Sequence, residues 1–475
     1  NALFTVATAA MAFLLARKMT RAFSAGAIAA LAYLAFLGVY RHGRVFLTSA
    51  PETFWLFLPF FVLLMLPRAD LGWGTATVFG FFLGAGLLCK SFAMIIPAAG
   101  ALAWWSWHTR GYNMATFVTK DAAKIALTTL LALAVFGLWF LLDPQRQFIM
   151  QDFVLKENMG KFDAEEDGYL ATALWGKHSI WPYALGWLTN AGLVAPAVIA
   201  VFILAWGNRR RMAEPEKLLW IWIITLFVFH LLPNVRYERY LLPAMPAVAV
   251  LCGIYWQQIP RWVPRLIAGA AAAASLVLLA GAGLLANHLQ GVPAYGFPGW
   301  MALAGISAVC LATVWRSEWA RAMALPCVLL VYLGFSIFLM PFDGPEGAFP
   351  CAAVEAARGK PVVYPSPFTA RDELIRFLLP GADLQRIKTR DLPSALADKS
   401  TRMLVVPGGL DSPRKIAGFR TLGRRIVLND YFTADQTSDM LRGKLAKHIF
   451  GCELLVERDE SATEDTTRQA DHADR

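Results

Sequence analysis

Uncharged apolar runs recur along the first 340 residues, and they restrict the fold more than any other feature of the chain. Crossing a hydrocarbon core of about 30 Å at about 1.5 Å rise per residue takes roughly 20 residues of helix. About twelve runs approach that length, near 1–15, 22–39, 52–66, 72–88, 91–107, 124–142, 183–206, 217–232, 239–257, 266–286, 298–315 and 322–341. They are apolar all round, whereas helices of a large water-soluble protein keep one polar face. A composition of 57% apolar and 16% charged residues excludes an ordinary soluble domain for the same reason. The expected fold class is an all-α polytopic membrane domain over 1–341, followed by a small α/β extracytoplasmic domain.

Lys and Arg orient the spans. Arg17, Lys18 and Arg21, then Arg68, Arg110 and Lys120, Arg209–Arg211 with Lys217, Arg261 and Arg265, and Arg316 and Arg321 fall in alternate loops, which should be cytoplasmic. The net charge of +10 is mostly this topological signal, and no basic arm predicts a nucleic-acid partner. Everything after Phe342 is then external. An even number of spans would also put Asn1 outside, so an upstream span is expected in a longer parent of about thirteen.

The external domain, 342–458, alternates short apolar strands (Pro361–Tyr364, Met403–Val406, Ile426–Leu428, Glu453–Val456) with a helix over Arg371–Leu379. The polar stretch 459–475 has no core-forming residues and is expected to be disordered. Cys89, Cys252, Cys310 and Cys327 lie in apolar runs, while Cys351 and Cys452 lie near the two ends of the external domain. The latter two are either one disulfide, as an oxidising compartment permits, or two separate thiols.

Chemistry is expected on the external side. The polar island 143–182 separates two apolar runs, and Phe148–Phe162 within it places apolar residues at helical spacing, as an interfacial amphipathic helix would. Glu157 would lie on its polar face. Glu52, Asp143, Asp152 and the run Asp163–Asp167 add carboxylates that could hold a divalent cation or act as a base, although most of that run suits plain solvation. Lys90, Arg236, Arg239, Arg41 and Arg44 sit outside against the positive-inside tendency. Cations at membrane depth need anionic partners, and phosphate is one that Arg and Lys both bind; snorkelling to lipid headgroups is the alternative. The histidines are scattered without zinc spacing, and Gly80, Gly84 and Gly86 read as helix-packing residues instead of a phosphate-cradling loop.

Three segments resemble one family. PNVRYERYLLPAMPAVAVLCG, LGAGLLCKSFAMIIP and FVLKENMGKF are similar, in order and on the external side, to motifs of bacterial glycosyltransferase family 39 relatives, the group holding the lipid A aminoarabinose transferase and protein O-mannosyltransferases. The resemblance implies a GT-C fold enzyme of the bacterial inner membrane, with its C-terminal domain periplasmic; no nucleic-acid partner is expected, and the chain is expected to act as a monomer. It implies a polyprenyl-phosphate sugar donor and a lipid (lipid A-like) or protein acceptor. Lys90, Arg236, Arg239 and Tyr240, with Arg41 and Arg44, would hold the donor phosphate, and Asn158 and Lys161 would belong to the acceptor loop. Glu52 and Glu157 are the candidate catalytic carboxylates, with the main one upstream of Asn1; a divalent cation is a possible cofactor.

The sequence departs from that pattern in places. Ala50 stands in FLTSAPETF where relatives commonly carry an acid, with Glu52 two residues on as a substitute; Lys161 replaces Arg and Ser91 replaces Gly. A polyprenyl-linked sugar carrier and a non-catalytic relative are the alternative readings.

Overall fold

The structure, a computed structural model, describes every residue except 44–47, 67–69, 145, 152–153, 156–167, 177, 289–294, 317, 345–346, 367–369, 410–415, 429–449 and 460–475. The expected tail 459–475 therefore lies almost wholly outside the described residues, as does most of the expected amphipathic segment. The chain forms two compact units, Asn1–Ala273 with Ala308–Tyr332, and Ala274–Ser307 with Leu333–Arg475.

Among the described residues, six helical stretches are long and apolar enough to cross a membrane: Ala2–Thr20, Met114–Leu142, Tyr169–Arg211, Trp262–Asn287, Gly296–Trp315 and Ala320–Phe338. The pair Phe23–Ala35 and Leu37–Gly43, bent by 63°, adds a seventh if taken as one span. The other expected runs are helical but short or broken. Ser49–Met65 and Trp73–Cys89 have 17 residues each. The run 239–257 divides into a 3₁₀ segment, Glu238–Ala244, and the helix Met245–Tyr255, because Pro243 and Pro246 remove ladder donors at the junction. Twelve apolar runs thus do not translate into twelve full-length helices.

In the first unit, small residues set the closest packing. A Cβ at Gly80 would lie 2.6 Å from that of Leu131, and one at Gly84 would lie 2.5 Å from that of Val135. Glycine at both positions lets Trp73–Cys89 seat against Ala123–Leu142. Thr128 reinforces the seam by donating to the Ala76 carbonyl at 2.9 Å. The 63° bend has its own support. Phe36 leaves helical geometry (φ −66°, ψ 127°); Tyr332 then donates to the Ala35 carbonyl at 2.8 Å while stacking on Tyr40, with ring centroids 4.2 Å apart. A carbonyl at a helix break, otherwise stranded in an apolar interior, is thereby satisfied.

The second unit holds a five-stranded mixed sheet. Its strands are β1 (Pro361–Pro365), β2 (Asp383–Ile387), β3 (Met403–Gly409), β4 (Phe419–Leu428) and β5 (Phe450–Arg458), in the order β2-β1-β3-β5-β4. β1 runs parallel to β2 and β3, and β5 runs antiparallel to β3 and β4. Alternate side chains build two cores. Val362, Tyr364, Met403, Val405 and Leu455 meet Ala353 and Ile375 from the helices Cys351–Ala357 and Ala370–Leu378. Val363, Leu404, Val406, Cys452 and Leu454 meet Leu392 and Ala395 of Leu392–Ala397 on the other face. Ile426 and Phe450 pack with Ala282, Leu285, Leu303 and Phe338, so this unit takes in parts of three helices upstream of 342.

The disulfide alternative for Cys351 and Cys452 is corrected here: no disulfide joins them. Cys351 is exposed at the start of a helix covering one face of the sheet, whereas Cys452 is buried in the core of the opposite face.

Candidate functional site

Lys90 is presented by a helix break. Trp73–Cys89 ends at Lys90, and the Ser91 hydroxyl opens the next turn by accepting from the Ala93 amide at 3.2 Å. Its Nζ lies 2.8 Å from Oε2 of Glu52, in the first turn of Ser49–Met65, and 5.2 Å from the Tyr240 ring centre. Glu52 is 1% exposed, and a carboxylate so deep demands a cation. The anionic partner expected for Lys90 is therefore already supplied by the chain. The Lys90 side chain keeps 21% exposure, which leaves its ammonium reachable.

Tyr240 is buried between aromatic neighbours: it stacks on His230 at 5.1 Å and meets Tyr237 edge-on at 5.6 Å. Arg239 is exposed and lies over the Tyr237 ring at 5.1 Å. Arg236 has a different setting. It is 3% exposed, donates through Nε to the Leu231 carbonyl at 3.0 Å and through Nη1 to the His178 carbonyl at 3.1 Å, and lies 5.5 Å from the Tyr169 ring. Arg236 thus differs from Arg239: its Nε and Nη1 hold an irregular backbone, while its Nη2 is buried without a hydrogen-bond partner among the described residues. Asn190 and Thr189 fix the same segment, donating to the Glu238 carbonyl at 2.8 Å and its carboxylate at 2.7 Å.

Arg41 is exposed near the end of Leu37–Gly43. That helix comes close to its neighbours because position 38 is glycine; a Cβ there would collide with Asn190 and lie 2.8 Å from Leu242. The next residue, His42, is influenced electrostatically by Arg41, Arg239, Lys90 and Glu238. His42 also lines a small recess with Thr5, Tyr33, Ser49, Ala50 and Thr53. Two predicted cations, Lys90 and Arg239, thus lie over neighbouring rings, those of Tyr240 and Tyr237.

Arg44, Glu157, Asn158 and Lys161 lie outside the described residues. Among the described residues, no group of three or more His, Cys, Asp or Glu side chains could hold a metal ion; the acidic run Asp163–Asp167 is not among them. Sequence reasoning missed His42 and the mutual capture of Glu52 and Lys90. The dense stretch Arg41-His42-Gly43-Arg44, closing an apolar run, was the available signal.

No protein-family model matches the chain. It is 25% identical over 261 residues to the undecaprenyl phosphate-alpha-4-amino-4-deoxy-L-arabinose arabinosyl transferase 2 of Pseudomonas fluorescens (strain Pf0-1). That match covers 53% of this chain and 44% of the relative, so it spans less than half of the relative's length. Two structures of ArnT from Cupriavidus metallidurans superpose with a TM-score of 0.55. The apo form shares 17% identity over 86% of this chain and 77% of that one; the form bound to undecaprenyl phosphate shares 15% over 97% and 83%. The chain has the ArnT fold. The resemblance carried by three short motifs thus extends to an aminoarabinose transferase-like fold over most of the chain.

Proposed function

We propose that the chain is a membrane glycosyltransferase that moves a sugar from an undecaprenyl-phosphate donor to a hydroxyl acceptor at the extracytoplasmic face. The observation that carries this reading is that Lys90 and Arg239 lie over the rings of Tyr240 and Tyr237, which meet at 5.6 Å, where an apolar helix ends. A phosphate tethered to a prenyl chain needs cations at that depth and apolar helices beside them. The names of the ArnT-like proteins supply the donor class: one acts on an undecaprenyl phosphate-linked aminoarabinose, and another was solved with undecaprenyl phosphate bound.

In this mechanism the acceptor oxygen attacks the anomeric carbon, the bond from that carbon to the phosphate oxygen breaks, and undecaprenyl phosphate leaves. Lys90 and Arg239 stabilise the charge that develops on the departing phosphate. Glu52, kept ionised by its pair with Lys90, is the carboxylate assigned to take the acceptor's proton. Glu157, Asn158 and Lys161 are assigned to the acceptor side. The acceptor is a lipid A-like glycolipid or a protein hydroxyl, and the enzyme works as a multi-pass monomer in the bacterial inner membrane with its C-terminal sheet in the periplasm.

The test is incubation of the purified chain with a labelled polyprenyl-phosphate pentose and a glycolipid acceptor. Free polyprenyl phosphate and labelled acceptor should appear together. Movement of the donor across a vesicle membrane without cleavage would instead mark a carrier, and binding without either would mark a non-catalytic relative, in line with Ala50.

A further inference from the structure

We propose that Tyr237 is a positioning residue for donor binding, its ring face holding the Arg239 guanidinium where the lipid phosphate is received; this rests on the transferase reading. The two cations of the site are held by different means. Lys90 is fixed by the Glu52 carboxylate, 2.8 Å away. Arg239 is exposed and has no ion pair among the described residues, and its Cζ lies over the Tyr237 ring, 5.1 Å from the centre. A guanidinium within about 6 Å of a ring centroid is attracted by the ring's negative face. A long side chain otherwise free in water loses rotamer freedom when a ligand fixes it, and prior restraint by a ring reduces that cost.

The chain fixes that ring from several directions. Tyr237 precedes the 3₁₀ segment Glu238–Ala244, and its carbonyl accepts from the Tyr240 amide at 3.0 Å. Thr189 and Asn190 hold Glu238 by its carboxylate and its carbonyl, at 2.7 and 2.8 Å, so the backbone beneath the ring has support that does not come from the ring. Two aromatic neighbours set the ring's angle. Tyr240 meets it at 83° with centres 5.6 Å apart, and the His178 imidazole meets it at 72° and 4.9 Å. Edge-to-face contacts of this kind orient a ring, and at 39% exposure Tyr237 keeps a face open for Arg239. His178 belongs to the polar island 143–182, so one ring joins that island to a cation of the site. Tyr240, in contrast, stacks on His230 at 5.1 Å and lies 5.2 Å from Nζ of Lys90. Loss of the Tyr237 ring should therefore leave the Lys90 half of the site in place and act through Arg239.

The affinity of undecaprenyl phosphate for the full chain in nanodiscs tests this, measured for the wild type, Tyr237→Leu, Tyr237→Phe, Arg239→Ala and the double variant Tyr237→Leu/Arg239→Ala. Tyr237→Leu should bind about twofold to fivefold more weakly than the wild type, as the loss of one exposed cation–π contact would. Tyr237→Phe should bind like the wild type, because the ring face acts and the hydroxyl does not. With Arg239→Ala already present, Tyr237→Leu should cause no further loss. A tyrosine that only supports the fold would weaken binding by the same factor in both backgrounds, and that result overturns the proposal. A Leu variant as tight as the wild type, or a Phe variant as weak as the Leu variant, also overturns it. Arg239→Ala binding as tightly as the wild type would refute the phosphate reading itself, and the proposal with it.

Discussion

Glu52 and Lys90, 38 residues apart, close a 2.8 Å ion pair that joins the first turn of one apolar helix to the last turn of the next. The pair binds a structural and a functional requirement together. Glu52 is 1% exposed and takes its compensating charge from Lys90, the cation proposed to receive phosphate.

Lys90→Met should therefore impair folding as well as transfer. Removing one partner of a buried pair costs about 3–5 kcal/mol, an upper bound here because the Lys90 side chain is 21% exposed. The double variant Lys90→Met/Glu52→Gln should recover the yield and melting temperature of the wild type, yet stay inactive in sugar transfer. Full activity in the double variant would remove Lys90 from the site.

Arg236 and Arg239 should separate by phenotype. Arg239 has no ion pair among the described residues and is exposed, so Arg239→Ala should leave thermal stability within about 0.5 kcal/mol of wild type. Arg236 holds the carbonyls of Leu231 and His178, so Arg236→Ala should lower stability by about 2 kcal/mol or more. Melting curves in detergent, run beside transfer assays, compare the two.

In the C-terminal sheet, Arg425 and Glu453 face each other across β4 and β5, with Nη2 2.6 Å from Oε2. The side chains are 8% and 3% exposed, and Arg425 also donates to the Gly347 carbonyl at 3.1 Å. Glu453→Ala should destabilise this unit by about 3–5 kcal/mol by stranding the guanidinium. Arg425→Met/Glu453→Leu should be far milder. Limited proteolysis between 342 and 458 reads the difference.

Acid should loosen the same sheet through Glu457. Burial opposes its ionisation, but hydrogen bonds from Arg420 and Lys360, at 2.9 and 3.1 Å, outweigh that and hold its carboxyl below the usual range. A lowered folded-state pKa gives stability that is complete above the unfolded value near 4.3 and lost as pH falls through the folded one. Amide-exchange protection in β4 and β5 should thus decline below about pH 4, with each exposed pair contributing about 0.2–1 kcal/mol. Glu457→Gln should remove that part of the pH dependence.

Much of this architecture is legible in the sequence because apolar periodicity is local. β1, β3, β4 and β5 contain the expected strand segments, and the helix Ala370–Leu378 lies within one residue of expectation at each end. β2 escapes because Asp-Leu-Gln-Arg-Ile, an edge strand, buries little and has no apolar signature. The bend at Phe36 escapes for another reason: it is supported by Tyr332, almost 300 residues away, and no local residue announces it. At the site, the charged residues standing between apolar runs were readable. Which of them the fold would use for itself was not, since Arg236 and Arg239 sit in one irregular segment whose direction is set by Asn190, Thr189 and the carbonyls of distant turns.

The central claim is a prenyl phosphate held by Lys90 and Arg239, and the most direct measurement is the affinity of undecaprenyl phosphate for the full chain in nanodiscs, wild type against Arg239→Ala. Loss of one charge-assisted hydrogen bond predicts binding about 10- to 100-fold weaker in the variant. Equal affinity in the two proteins, or no binding by the wild type, would contradict it.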